Sequence, residues 1–98
     1  FNCRVNEMKI SKLLRNVEGN GLAFMCPGCK THHVIWHGIG KPPRWDWNGD
    51  IDKPSFSPSI LVRGAIYICH SFVRNGQIQF LTDCTHDLAG KTVDLPEI

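Results

Sequence analysis

Short apolar runs separated by turn-forming residues make up most of the chain. The first run has apolar residues at positions 10, 13, 14 and 17, a spacing that fits a short amphipathic helix or an irregular strand. Residues 22–25 and 32–36 predict the two strands of one hairpin. Its tip is Cys26-Pro27-Gly28-Cys29, where the Pro-Gly pair favours a tight turn.

The second half of the chain has the more regular pattern. Strands are predicted at 60–63 and 65–73, with a break at Gly64, and at 78–81 and 91–95. Asn75-Gly76 predicts a type I′ turn, because both residues tolerate positive φ, and the register then places Arg74 opposite Gln77. Residues 83–90 predict a helical turn, with Asp83 as its N-cap and Gly90 as its left-handed end.

Residues 38–59 are rich in turn formers and carry two tryptophans at strand spacing, Trp45 and Trp47. These two side chains either fill the small core or form a binding platform. Residues 54–59, Pro-Ser-Phe-Ser-Pro-Ser, are a rigid connector or a loop that presents Ser57 and Ser59 beside a metal. The fold class that the whole pattern predicts is a small β-rich, zinc-ribbon-like domain of two hairpins and a short helical turn.

A chain of 98 residues supports one domain. We expect residues 8–98 to form it, because Met8 begins a segment typical of a natural start. Residues 1–7 are then a leader, an upstream extension or a cloning remnant. No apolar run approaches the roughly 18–20 residues that cross a bilayer, so no membrane partner is expected. The net charge of +2 comes with scattered Lys and Arg, which is weak for a nucleic-acid binder.

The cysteines carry the clearest chemistry. Five cysteines without a secretory signal favour a reducing compartment, where thiols hold metal, and Cys3 is expected to stay free. Cys-x-x-Cys followed by distant cysteines is typical of tetrahedral zinc. If the second hairpin continues its register, Cys69 faces Thr82, and Cys84 lies diagonally on the same face, about 7–8 Å away. The predicted zinc ligands are Cys26, Cys29, Cys69 and Cys84.

Three histidines leave an alternative open. His70 follows Cys69, so strand alternation points it to the opposite face. If the chain instead bends after Leu81, a zinc site with an open water position becomes possible, and His33, His70 and His86 are then the candidate catalytic residues. No phosphate-binding glycine loop, carboxylate pair or serine triad with a usual spacing is present.

Several segments together resemble a small family of tailed-phage and prophage proteins that is often mislabelled "ammonia monooxygenase". The resemblance covers about residues 22–96 and rests on these motifs: Cys26-Pro27-Gly28-Cys29, Trp47-Asn48-Gly49-Asp50, the Pro-Ser-Phe-Ser-Pro-Ser run, Cys69-His70-Ser71-Phe72 and Asp83-Cys84-Thr85-His86. Genuine ammonia monooxygenases are large membrane-bound copper enzymes, so the label does not fit. The resemblance implies phage origin and a place in the host bacterial cytoplasm.

The leading hypothesis is a zinc-stabilised phage accessory protein that binds a host or phage protein, with interference in a host defence system as one setting. The alternatives are a zinc-dependent hydrolase with a Cys/His site and a nucleic-acid-binding zinc ribbon. The coordination shell distinguishes them, since four protein ligands indicate a structural metal, and three ligands plus water indicate catalysis.

Overall fold

The computed structural model describes residues 8–98, which form two antiparallel β-sheets. The strands are β1 (Met8–Lys9), β2 (Arg15–Val17), β3 (Gly21–Cys26), β4 (Thr31–Trp36), β5 (Asp46–Trp47), β6 (Phe56–Arg63), β7 (Ile68–Arg74), β8 (Gln77–Phe80) and β9 (Thr92–Asp94). The first sheet has the order β1-β2-β3-β4 and the second β5-β6-β7-β8-β9. The predicted β-rich fold is confirmed. A search of residues 8–98 finds no candidate membrane-spanning helix.

The first predicted hairpin is formed by β3 and β4, with Cys26 opposite Thr31 at its tip. The Lys30 amide donates to the Cys26 carbonyl across 2.8 Å and closes the knuckle. Lys30 takes a positive φ of 59° to complete this turn. The cysteine knuckle therefore lies at the end of the hairpin, where the sequence predicts it.

Of the two readings of residues 10–17, the strand reading is correct and the helix reading is wrong. The Ile10 and Ser11 amides both donate to the Leu14 carbonyl, which makes a tight turn. The Ser11 hydroxyl accepts from the Leu13 and Leu14 amides inside that turn. β2 then pairs with β3. Leu14 is fully buried, so this apolar run reaches the core from a turn and a strand.

The second predicted hairpin is formed by β7 and β8. Arg74 lies opposite Gln77, and Asn75 and Gly76 have φ angles of 49° and 77°, as the type I′ prediction requires. The strand before it starts earlier than predicted, since β6 begins at Phe56 and includes residues 56–59, four of the six residues of the expected connector. β6 carries a register shift against β7 between Phe56 and Ile60. Pro58 lies within this irregular stretch, where a strand tolerates proline.

Residues 83–90 form separate hydrogen-bonded turns, and residues 8–98 contain no helix. The Ala89 amide donates to the His86 carbonyl, and the Lys91 amide to that of Leu88. Gly90 takes a positive φ of 79°, as predicted. The predicted capping role of Asp83 is wrong, because its carboxylate binds the His70 ring instead.

Buried side chains of both sheets meet in one core. Trp45 and Trp47 are half-buried and pack against it. The core cluster consists of Leu14, Leu22, Phe24, Cys26, Ile35, Phe56, Ile60, Cys69, Val73, Ile78, Phe80, Cys84 and Leu95. Cys26, Cys69 and Cys84, three of the predicted zinc ligands, are thus also core residues.

Candidate catalytic triad and metal centre

The β6–β7 pair places a serine and a histidine on one face of the second sheet. Leu61 lies directly opposite His70 in the register. Ser59 precedes Leu61 by two residues, so alternation along the strand turns its side chain to the same face as the His70 ring. The Ser59 hydroxyl and the His70 Nε2 atom lie 3.0 Å apart.

The other nitrogen of the same ring meets a carboxylate. The His70 Nδ1 atom lies 3.1 Å from the Asp83 Oδ2 atom. The side chains of His70 and Asp83 are 25% and 52% exposed, so the series opens to solvent. Serine, histidine and aspartate joined in this order through the two ring nitrogens form the arrangement of a Ser–His–Asp triad.

Asp83 reaches His70 because the segment after β8 keeps following β7. The Leu81 amide donates to the His70 carbonyl across 2.9 Å, and the Thr85 amide donates to the Ile68 carbonyl across 2.9 Å. Between these two anchors, the Cys84 thiol accepts from the His70 amide and donates to the His70 carbonyl, each across 3.2 Å. Cys84 therefore holds the main chain of His70, and Asp83 holds its ring.

The neighbouring serines are placed differently. Ser57 is exposed. The Ser55 hydroxyl accepts from the Asn75 amide, which ties it to the β7–β8 turn. Ser71 is fully buried, and its hydroxyl has no hydrogen-bond partner within residues 8–98. Among the serines in residues 8–98, Ser59 is the one whose hydroxyl meets a histidine.

The sequence suggests other roles for Ser59 and His70 and a helix cap for Asp83. No usual spacing indicates the triad, because the three residues are 11 and 13 positions apart and lie on β6, β7 and a turn. The available signal was the break at Gly64. A four-residue turn at residues 64–67, rather than a break at Gly64 alone, is what places Leu61 opposite His70, and Ser59 diagonally next to it.

A second cluster lies on the buried side of β7. The ligand atoms of Cys26, Cys29, His33 and Cys69 all lie within 4.8 Å of one another. The Cys26 and Cys69 sulfurs are 3.9 Å apart, and the His33 Nε2 atom is 3.4 Å from the Cys29 sulfur and 3.7 Å from that of Cys69. Tetrahedral zinc, with its usual bond lengths, requires about 3.8 Å between sulfurs and about 3.5 Å between sulfur and nitrogen. These four residues can hold a metal ion, and the donor set suits zinc.

Each ligand position follows from local structure. Cys26 ends β3, and its sulfur accepts from the Cys29 amide in the knuckle. His33 faces inward from β4, in line with the alternating burial of that strand. Cys69 comes from β7 in the other sheet. A metal held here would therefore join the two sheets.

The electrostatics of the cluster favour a cation. The pKa of Cys26 is lowered to about 3, chiefly because the Cys69 thiol donates a hydrogen bond to its sulfur. The same bond, together with burial, raises the pKa of Cys69. Burial also raises the pKa of Cys29, and a hydrogen bond from the Tyr67 hydroxyl lowers it by a smaller amount. Once one thiol of the cluster is ionised, its charge opposes ionisation of the others. A bound divalent cation would stabilise the additional thiolates.

Cys84 and His86 lie apart from this group of four. With Cys69 they form another set of three groups whose ligand atoms lie within 4.8 Å of one another. The His86 Nδ1 atom accepts from the Leu88 amide, and its Nε2 atom is buried and has no hydrogen-bond partner among residues 8–98. Three of the four predicted cysteines thus gather with His33, while Cys84 binds the main chain of His70.

The fold and the two sites together define a β-sheet domain that combines a Ser–His–Asp series with a cysteine-rich cluster that can hold a metal ion. A family model described as "Bacterial ubiquitination-like system serine protease (BubE)" matches residues 3–81, and the chain belongs to this family. The match includes Ser59 and His70 and ends two residues before Asp83. A comparison with curated proteins found no match, and a comparison with solved structures found none.

Proposed function

We propose that this protein is a serine protease whose nucleophile is Ser59. The observation that carries the proposal is the hydrogen-bonded series from the Ser59 hydroxyl through both nitrogens of His70 to Asp83. The family description, which names a serine protease, supports it independently of the geometry. Among the sequence-based hypotheses, this favours an enzyme over a binder, with the catalytic residues outside the metal cluster.

The geometry assigns one role to each residue. The His70 Nε2 atom takes the proton of the Ser59 hydroxyl as its oxygen attacks a substrate carbonyl carbon. The resulting imidazolium is held by the Asp83 carboxylate through Nδ1–H. It then gives the proton to the leaving amine as the peptide bond breaks, which leaves an acyl ester on Ser59. Water, deprotonated by His70, hydrolyses that ester and restores the serine.

The role we propose for the metal is structural. Three thiolates and one imidazole fill a tetrahedral shell, and a closed shell leaves no position for a catalytic water. Zinc bound there would supply a cross-link between the sheets, which matters in a domain with a small core. Cys69, directly before His70, would be fixed by that cross-link.

The family description leads us to propose a protein component of a bacterial ubiquitination-like system as the substrate. This replaces the more general host or phage protein as the expected partner. Phage origin, interference with a host defence system and a place in the host bacterial cytoplasm stay predictions from the sequence. No observation in residues 8–98 favours the alternative of a nucleic-acid-binding zinc ribbon.

The proposal is tested by hydrolysis of p-nitrophenyl acetate and of casein. We expect Ser59→Ala and His70→Ala to lower kcat by at least about 10³-fold. Asp83→Asn should cost less than the roughly 10⁴-fold loss typical of a buried triad aspartate, because Asp83 is half-exposed.

Ser57→Ala is the matched control, because Ser57 lies two residues away in the same strand and is exposed. It should hydrolyse both substrates at the wild-type rate. Full activity of Ser59→Ala, with retained metal and melting temperature, would rule out the proposed nucleophile.

A further inference from the structure

In the part of the chain that the structure describes, the side of β6 that faces away from β7 is only partly covered. β5 is two residues long and pairs only with Phe56 and Ser57 of β6. The Trp45 indole then donates to the Ser59 carbonyl across 3.3 Å. Beyond Ser59, no strand in residues 8–98 pairs with this side of β6. The uncovered edge therefore begins directly after the proposed nucleophile.

Hydrogen bonds of the next strand show which β6 residues point to this edge. The carbonyls of Ile68 and His70 accept from Thr85 and Leu81, on the side of β7 away from β6. Leu61 opposite His70, and Arg63 opposite Ile68, are therefore non-hydrogen-bonded pairs of the antiparallel ladder. In such pairs both residues direct their N–H and C=O groups outward. Leu61 and Arg63 thus present their main-chain groups along the free edge.

The same region exposes large apolar side chains. Leu61 is 47% exposed on the face that carries Ser59 and His70, and Ile66 at the β6–β7 turn is 93% exposed. An exposed strand edge with apolar side chains is a template for pairing with another extended chain. A protease needs its substrate extended and in register with the nucleophile, and this edge runs directly into Ser59.

We propose that an extended segment of the protein substrate binds as an added β-strand along β6, bonded to the main chain of Leu61 and Arg63. Apolar side chains of the segment pack on Leu61 and Ile66, and its scissile carbonyl lies at Ser59. The proposal rests on the proposed protease function and names its substrate as an extended, aliphatic-rich polypeptide. The Trp45 indole, which donates to the Ser59 carbonyl, marks the end of the β6 edge that is open to the added strand.

The test compares casein, an unfolded protein with many apolar segments, with p-nitrophenyl acetate, which is too small to pair with a strand. Leu61→Pro removes an outward N–H and leaves the β6–β7 hydrogen bonds in place. We expect kcat/KM for casein to fall about tenfold more than kcat/KM for the ester. Arg63→Pro tests the same edge if Leu61→Pro does not fold.

The apolar contact is tested with two exposed isoleucines. Ile66→Ser should raise KM for casein several-fold, whereas Ile39→Ser, at a loop position that is 98% exposed, should leave it unchanged. Equal losses on both substrates in the proline variants would overturn the proposal, and so would a wild type that hydrolyses the ester but not casein. A wild-type dimer that Leu61→Pro dissociates would make a second copy the occupant, against the proposal. If the wild type hydrolyses neither substrate, the protease function itself fails and the inference falls with it.

Discussion

Cys69 and His70 are consecutive in β7, yet their side chains serve two different sites. The Cys69 sulfur lies 3.9 Å from that of Cys26 in the buried cluster, and the His70 ring lies 3.0 Å from the Ser59 hydroxyl on the other face. Alternation along a strand imposes this separation. A metal bound to Cys69 would therefore also fix the strand position of His70 without contacting the triad.

We predict that the purified protein holds about one zinc per chain through Cys26, Cys29, His33 and Cys69. Cys26→Ser and His33→Ala should each lose the metal, and a strong chelator should lower the melting temperature, since structural zinc contributes on the order of 10 kcal/mol. Elemental analysis and thermal melts measure both effects. Cys84→Ser is the control and should keep the metal. Loss of zinc in Cys84→Ser with retention in His33→Ala would support the four-cysteine set predicted from the sequence instead.

A second prediction concerns the bonds between Cys84 and the His70 main chain. Cys84→Ala removes both and should lower kcat about fivefold, because a net loss of about 1 kcal/mol is typical for hydrogen bonds of this kind. Serine can donate and accept at the same position, so Cys84→Ser should recover part of the rate. If both variants are equally slow with zinc content intact, hydrogen bonding by Cys84 is not what positions His70.

Gly28 in the cysteine knuckle lies against the His86 ring. A Cβ atom at this position would overlap ring atoms of His86, whereas one at Gly64 would lie 3.9 Å from its nearest neighbour, the Tyr67 Cβ atom. We expect Gly28→Ala to lower the free energy of unfolding by about 1–3 kcal/mol, the usual cost of overpacking. Gly64→Ala should change it by less than about 0.5 kcal/mol. Denaturant melts of the two variants compare them directly, and equal stability would mean that the His86 ring moves away freely.

The two tryptophans give a prediction that separates packing from binding. Both are half-buried against the core, and the Trp45 indole also bonds the Ser59 carbonyl. Trp47→Ala should destabilise the fold by about 3 kcal/mol, the lower end of the range for a core tryptophan. Trp45→Ala should cost a similar amount and also lower activity. Normal melting temperatures in both variants, with loss of casein cleavage alone, would favour the binding platform.

Local patterns were sufficient for much of this fold. Asn75-Gly76 fixed a hairpin register that the structure confirms, and alternation separated Cys69 from His70. The ladder itself is shorter than predicted. β8 ends at Phe80, so the predicted pairing of Cys69 with Thr82 does not form, and Cys84 turns to the His70 main chain.

Asp83 was missed for a related reason. Its position depends on hydrogen bonds from Leu81 and Thr85 to β7, which are tertiary contacts that no local sequence pattern specifies. His33, by contrast, carried a usable signal. It lies four residues after Cys29, at an inward position of a predicted strand.

The identity of the reactive residue is the central claim. Incubation of the full chain with a fluorophosphonate, followed by peptide mapping, measures it directly, because such a probe phosphonylates an activated serine. We predict a single modified residue, Ser59, with labelling lost in Ser59→Ala and in His70→Ala and retained in Ser57→Ala. A chain that stays unlabelled while folded and metal-bound, or a label on any other serine, would contradict the Ser59–His70–Asp83 triad.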